Sequence, residues 1–289
     1  MIDVKDPQVL VLGITGHEGS FWTERMIASG TRVVAGVTPG KGGRVVGGVP
    51  VYDSVGAACE AHAADVAVLF VPPLAARNAA CDAISHGIRR VVMLAEHVPV
   101  QDTMDVRAEA EAHGARVLGP NSPGAVVPGR WSIGIMPGWL PTMFHPGSIG
   151  VASRSGSLGA LACVNLVAAG LGQSAFLGLG GDPLVGTTFL DALRQFEGDP
   201  STRAVVMIGE LGGSMEEEVA TYIPMMSKPV VAFVAGVSAP EGRRMGHAGA
   251  LVSGQVGRAS LKVEVLRAAG AQIARLPSDI SRLVAMHLA

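Results

Sequence analysis

The 289-residue sequence predicts an α/β protein built from two doubly wound parallel-sheet units in series. Short, Val-rich apolar runs alternate with segments of helical spacing, the pattern of parallel strands buried on both faces. Glycine-rich turns follow several of these runs and open the next helix, where such sheets bind ligands. A Pro- and Gly-dense stretch in the middle of the chain separates the two series.

In the first series, Gln8–Leu12 is an apolar run entering a glycine turn, Glu18–Ser29 has helical spacing and Arg32–Val37 is a second strand. Asp65–Val71 is a third strand, Leu74–His86 a helix, Arg90–Leu94 a fourth strand, Gln101–His113 a helix and Arg116–Leu118 a short strand. Between Gly119 and Gly147 come Pro120, Pro123, Pro128, Pro137, Pro141 and Pro146, with several glycines among them. That density predicts no regular element, and the domain boundary is placed inside it. In the second series the expected strands are Ser148–Ala152, Ala175–Leu179, Ala204–Ile208, Pro229–Val234 and Gln272–Leu276. The expected helices are Ser157–Ala169, Thr187–Phe196, Met215–Met226, Ala259–Ala269 and Asp279–His287.

Composition excludes several classes. The net charge of −2 gives no global field to recruit nucleic acid or an anionic membrane, so local Arg clusters must do any anion binding. Cys59, Cys81 and Cys163 are odd in number and lack paired spacing, which argues against a disulfide framework and a zinc site and fits a reducing cytoplasm. No metal site is expected. The N-terminal residues lack an apolar core of the secretory kind, and the apolar stretch Leu158–Leu171 is too short for a membrane span and reads as a buried helix.

Five segments carry chemistry. Gly13-Ile14-Thr15-Gly16-His17-Glu18-Gly19 joins the first strand to the first helix with G-x-x-G-x-x-G spacing, which lets backbone approach a pyrophosphate at a helix N-terminus. The second strand ends without the carboxylate an NAD ribose would want. A basic loop, Thr38-Pro39-Gly40-Lys41-Gly42-Gly43-Arg44, follows instead, suiting the extra ribose phosphate of NADP or of coenzyme A. Ser153-Arg154-Ser155-Gly156-Ser157 follows a strand and opens a helix, an anion site or an ordinary N-cap. Glu210 stands between glycines at another strand end, where a carboxylate can fix the tautomer of a histidine. His247 lies in a basic, glycine-rich loop beside Arg243 and Arg244, surroundings that suit a phosphate partner.

Seven segments occur in order: Thr38-Pro39-Gly40-Lys41-Gly42-Gly43, Gly119-Pro120-Asn121, Gly134-Ile135-Met136-Pro137-Gly138, Ser153-Arg154-Ser155-Gly156, Gly180-Gly181-Asp182-Pro183, Gly209-Glu210, and Arg244-Met245-Gly246-His247-Ala248-Gly249-Ala250. Together they closely resemble the α subunit of succinyl-CoA synthetase over essentially the whole chain. The resemblance implies a Rossmann-like domain binding coenzyme A (residues 1–125), a Pro/Gly-rich linker (126–146) and a flavodoxin-like ligase domain carrying a phosphohistidine (147–289). It implies that Thr15, Gly16, His17, Glu18, Lys41, Leu94, Ala95 and Glu96 contact coenzyme A. In the same pattern His247 is transiently phosphorylated, Glu210 steadies it, and Ser153, Ser155 and Gly156 cradle phosphate. Asn121, Ser122 and Ala160 would lie near the substrate. A separate ATP-grasp β subunit would hold ATP or GTP with Mg²⁺, in keeping with the lack of a G-x-x-x-x-G-K-[ST] loop here.

The chain departs from the family pattern at some of these positions. Ala160 and Leu161 replace the usual Tyr and Glu, which concerns the acid used, and Ser122 replaces a near-isosteric Cys. His17 and Glu18 differ from the usual residues of the coenzyme A loop, and Trp131 and Trp139 add bulk around Gly134–Gly138. The expected activity is ligation of a dicarboxylate to coenzyme A, most simply succinate, with malate or another dicarboxylate as the alternative. An NADP-dependent oxidoreductase would leave the His247 segment unexplained. A catalytically silent coenzyme A-binding protein is the remaining alternative, against which retention of Glu210 and His247 counts.

Overall fold

A computed structural model describes residues 1–237 and 257–288. The chain divides into two compact units, Met1–Trp139 with Leu184–Gly186, and Leu140–Pro183 with Thr187–Ala289. Both are α/β.

The first unit runs β1 (Gln8–Leu12), α1 (His17–Ala28), β2 (Arg32–Val37), β3 (Val45–Val46), β4 (Val49–Tyr52), α2 (Val55–Ala61), β5 (Val66–Leu69), α3 (Pro73–Ser85), β6 (Arg90–Met93), α4 (Val100–Ala112) and β7 (Arg116–Leu118). The sheet order is β3-β4-β2-β1-β5-β6-β7, parallel except for the β3–β4 pair. Val9, Leu10, Val11 and all of β5 are buried because helices cover both faces, hence the absence of polar alternation in these strands. The small β3–β4 hairpin and α2 are additional to the sequence expectation. Gly47 (φ +53°) and Gly48 (φ +82°) both take positive φ between the paired Val46 and Val49, the requirement of a tight two-residue hairpin turn. Ser54 then caps α2, its Oγ accepting the Ala57 N–H at 3.2 Å.

Part of the stretch expected to hold no regular element is regular. β8 (Gly124–Val127) and β9 (Trp131–Gly134) form an antiparallel hairpin there, and both strands are buried. The prolines and glycines that argued for irregularity make the turn and the close approach. Pro128 and Gly129 (φ +75°) occupy the two corner positions, and the Arg130 N–H donates to the Val127 carbonyl at 3.0 Å, as in a type II turn. At the other end Gly124 faces Gly134, and a Cβ on Gly124 would sit 1.9 Å from the Ile133 carbonyl oxygen. Thr31 holds the hairpin by donating from Oγ1 to the Ser132 carbonyl at 2.6 Å while accepting the Ser132 N–H at 3.0 Å.

The second unit contains β10 (Pro146–Ser153), α5 (Gly156–Ala168), β11 (Gln173–Gly178), α6 (Phe189–Gly198), β12 (Ala204–Glu210), α7 (Met215–Ala220), β13 (Val230–Ala235), α8 (Ala259–Ala268), β14 (Gln272–Ile273) and α9 (Asp279–Leu288). Its parallel strands lie in the order β14-β13-β12-β10-β11, the flavodoxin-like arrangement. The expected helix over Met215–Met226 is shorter, ending at Ala220 and followed by a 3₁₀ turn at Ile223–Met225. Pro224, without an N–H to donate, explains the break. Phe176, Phe189 and Phe196 are fully buried, and each contributes on the order of 1.5–3 kcal/mol of apolar burial. Among the described residues, no helix is long and apolar enough to cross a membrane.

Candidate functional site

In the first sheet the chain leaves β1 toward β2 on one side and returns to β5 on the other, so the carboxyl ends of β1 and β5 flank a topological switch point. The glycine loop stands there. Gly13 takes φ +83°, and a Cβ on it would lie 2.1 Å from the Phe70 carbonyl oxygen. A Cβ on Gly19 would lie 2.2 Å from the carbonyl oxygen of Gly13, so strand, turn and helix meet at a distance only glycine allows. Gly16 is the N-cap of α1 and supplies no side-chain cap, which leaves first-turn N–H groups available at the sheet edge.

The other sequence-predicted residues of this unit gather at the same edge. The Thr15 N–H donates to Thr38 Oγ1 at 3.4 Å, bringing the basic loop against the glycine loop. Lys41 is half-buried within that loop, its N–H donating to the Thr38 carbonyl at 3.0 Å. His17 and Glu18 are exposed. The Glu18 carboxylate accepts Trp22 Nε1 at 3.1 Å and lies 3.2 Å from His17 Nδ1. Leu94, Ala95 and Glu96 follow β6 and are half-buried. Asn121 and Ser122 lie against them, the Asn121 N–H donating to the Ala95 carbonyl at 2.8 Å and the Ser122 N–H to the Met93 carbonyl at 3.3 Å. Ser122 is buried, and its Oγ accepts the Gly124 N–H at 2.9 Å. Sequence reasoning missed Asp53, whose carboxylate accepts the Gly42 N–H at 2.8 Å and anchors the basic loop, and Tyr52, which lines a hollow beside Gly42–Arg44. Their signal lay in the unrecognised β3–β4 hairpin that carries them to the loop.

In the second sheet the switch point falls between β10 and β12, which are neighbours in register with Ser153 opposite Ile208. Ser153–Gly156 leaves β10, and the buried Glu210 ends β12. The structure thus brings the expected cradle and the expected carboxylate to one edge. Ser155 is the N-cap of α5, its Oγ accepting the Leu158 N–H at 3.3 Å, and Ser153 Oγ donates to the Ser155 carbonyl at 2.6 Å. Arg154 is buried and turned inward, donating from Nη1 to the carbonyls of Gly212 at 2.8 Å and Glu210 at 3.3 Å. Ala160 lies half-buried on α5, and Leu161 beside it is 44% exposed. His247, Arg243 and Arg244 lie outside the described residues.

Comparison with known proteins agrees with this division. A CoA-binding-domain family matches residues 4–97, and a CoA-ligase family matches residues 152–272. The chain is 49% identical over 278 residues to the succinate–CoA ligase [ADP-forming] subunit alpha 2 of Archaeoglobus fulgidus, covering 96% of each chain. It is 44% identical over 282 residues to a subunit of an ADP-forming sulfoacetate–CoA ligase from Bilophila wadsworthia, covering 97% of this chain and 96% of that one. Among solved structures, ATP citrate lyase from Methanothrix soehngenii, in complex with citrate and coenzyme A, superposes with a TM-score of 0.85 at 24% identity. That likeness covers 98% of this chain and 50% of the lyase, so the chain spans half the length of that structure, and at this identity the likeness is one of fold. The chain belongs to the alpha-subunit family of ADP-forming succinate–CoA ligases, the NDP-forming acid–CoA ligases.

Proposed function

We propose that this chain, working in the cytoplasm with an ATP-grasp β subunit that holds ATP or GTP and Mg²⁺, joins a dicarboxylate, most simply succinate, to coenzyme A. The meeting of Ser153–Gly156 and Glu210 at the β10/β12 switch point carries the reading. It sets an α-helix N-terminus and a buried carboxylate at one sheet edge, the pair that phosphoryl transfer to and from an imidazole requires. The proposed functional parts are the coenzyme A-binding residues of 1–125 and the phosphoryl-handling residues of 147–289.

The residues of the first unit fit coenzyme A. The uncapped start of α1 offers N–H groups to the pyrophosphate, and a Cβ at Gly13 or Gly19 would distort the turn that presents them. Thr15, Gly16, His17 and Glu18 would border the pyrophosphate, Lys41 would meet the ribose phosphate, and Leu94, Ala95 and Glu96 would line the cofactor's path. Asn121, Ser122 and Ala160 would lie near the reacting acid.

A carboxylate is a poor acyl donor because its leaving group would be oxide. In the proposed sequence a ring nitrogen of His247 takes the γ-phosphoryl group and the nucleoside diphosphate leaves, splitting one difficult transfer into two. Glu210 steadies the imidazole, and the first-turn N–H groups of α5 at Ser155–Gly156 neutralise the phosphoryl oxygens. A carboxylate oxygen of the acid then attacks phosphorus, freeing the imidazole and leaving an acyl phosphate. When bound, coenzyme A supplies the thiol that displaces phosphate from the acyl carbon.

The test is phosphorylation of the full chain by γ-labelled ATP in the presence of its β subunit. Acid-labile label should appear on the protein and be absent in His247→Ala. Label retained in that variant moves the carrier elsewhere. A second reading changes only the acid. Ala160 and Leu161 remove an aromatic and an acidic side chain from α5, so malate or another small dianionic acid is the competitor, and a panel of acids scored by thioester formation separates them.

A further inference from the structure

We infer that Glu216 is a positioning residue for phosphoryl transfer, an inference that rests on the ligase reading above. Glu216 lies in the first turn of α7 and is fully buried. Its Oε1 accepts the backbone N–H of Glu210 at 3.0 Å and Nη1 of Arg154 at 3.2 Å, and its Oε2 accepts Nζ of Lys262 from α8. Arg154 reaches back to the carbonyl of Glu210 and onward to that of Gly212, while Lys262 donates to the Gly213 carbonyl and the Glu217 carboxylate, both at 2.9 Å. The N–H and the carbonyl of Glu210 are therefore both gripped, one by Glu216 and the other by the arginine that Glu216 holds. That arginine is the middle residue of Ser153-Arg154-Ser155. A single carboxylate thus sets the relation between the turn that would cradle phosphate and the strand end that presents Glu210.

Two features separate this from an ordinary stabilising contact. Arg154, Lys262 and Glu216 are all sealed from solvent, and two cations balance the two carboxylates of Glu216 and Glu217. Buried ion clusters are weak net stabilisers, because desolvation offsets attraction, but they hold geometry rigidly. The strand is also shaped to admit the carboxylate. A Cβ on Gly209 would lie 2.7 Å from Glu216 Oε1, so the glycine before Glu210 is what lets the carboxylate reach the strand backbone. This gives a physical reason for the Gly209-Glu210 pair beyond the flexibility of a loop.

The coenzyme A residues belong to the other unit, so loss of this grip should slow phosphoryl transfer without weakening coenzyme A. The experiment uses the full chain assembled with its β subunit and compares wild type, Glu216→Gln and Gly209→Ala. The last variant displaces the carboxylate without removing its charge. Phosphoenzyme formation and kcat for thioester formation should fall together by up to about a hundredfold, the scale of a misplaced reacting group. KM for coenzyme A should stay within about twofold of wild type, since transition-state and uniform binding losses separate in this way. A cooperative thermal melt identifies the folded variants. A folded Glu216→Gln or Gly209→Ala protein that is phosphorylated at the wild-type rate, or whose loss lies in KM for coenzyme A, overturns the inference. Absence of phosphoenzyme and thioester in the wild-type complex would instead overturn the ligase reading.

Discussion

The backbone N–H of Asn121 donates to the carbonyl of Ala95 at 2.8 Å, with Asn121 itself in the left-handed region at φ +54°. This bond ties the turn after β7 to the turn after β6, so Asn121 and the Leu94–Glu96 segment present one surface at the sheet edge. Asn tolerates this backbone region, while a β-branched residue pays about 1–2 kcal/mol to enter it. Asn121→Val should therefore lower the melting temperature by several degrees, at about 2–4 °C per kcal/mol for a chain of this size. Asn121→Gly, which enters this region freely, should melt above Asn121→Val. KM for the acid in the glycine variant then reads the side chain, and an unchanged value would remove Asn121 from the surroundings of the substrate.

Lys41 offers a sharper chemical test. The basic loop is held by Asp53 and Thr38, so removing the Lys41 side chain should leave the loop in place. Lys41→Ala should weaken coenzyme A by about tenfold, roughly 1.4 kcal/mol, and dephospho-coenzyme A much less. Calorimetric titration of both ligands checks this. Equal losses would detach Lys41 from the ribose phosphate.

The hairpin of β8 and β9 rests on two glycines with different demands. Gly124→Ala places a Cβ 1.9 Å from a backbone carbonyl at φ +97° and should destabilise by about 1–3 kcal/mol or more. Gly129→Asn keeps a residue that accepts the second corner of a type II turn and should cost a few tenths at most. Chemical denaturation of both variants measures the difference, and equal midpoints would refute the packing account of Gly124.

Asp3 predicts a pH dependence. The guanidinium of Arg90 grips its carboxylate through two hydrogen bonds, at 2.6 and 3.2 Å, and holds it well below the ordinary value of 3.8 despite partial burial. A carboxylate whose folded pKa is depressed adds stability that is complete above the unfolded value and is lost as pH falls through the folded one. The pair is partly exposed, so solvent screening limits it to about 1 kcal/mol. Asp3→Asn should melt below wild type at pH 7, and the gap should close progressively below about pH 4. A gap that is constant down to the acid limit would assign the effect to packing.

Most of the fold was legible in one dimension. β1, β2 and β7 lie where their apolar runs begin and end, because strands covered by helices are largely apolar. The glycine loop was legible for a related reason, since Gly13 and Gly19 are the residues that let strand and helix backbones touch. The hairpins were not read although their turns, Gly47-Gly48 and Pro128-Gly129, stand in the sequence. Their strands are two to four residues long, too short for periodicity to register, and only pairing with a neighbour makes them strands.

The sequence by itself determined the order of the main parallel strands and most of their helices, the glycine turns and the candidate residues along the chain. Only the tertiary structure decided what those residues touch. It turned Arg154 inward to Glu210 and Glu216, set Asp53 beneath the basic loop and laid Asn121 on Ala95. Each of these contacts joins segments 11 to 62 residues apart. Such pairings arise when parallel strands stack side by side, and no local spacing in the chain encodes which turn will meet which.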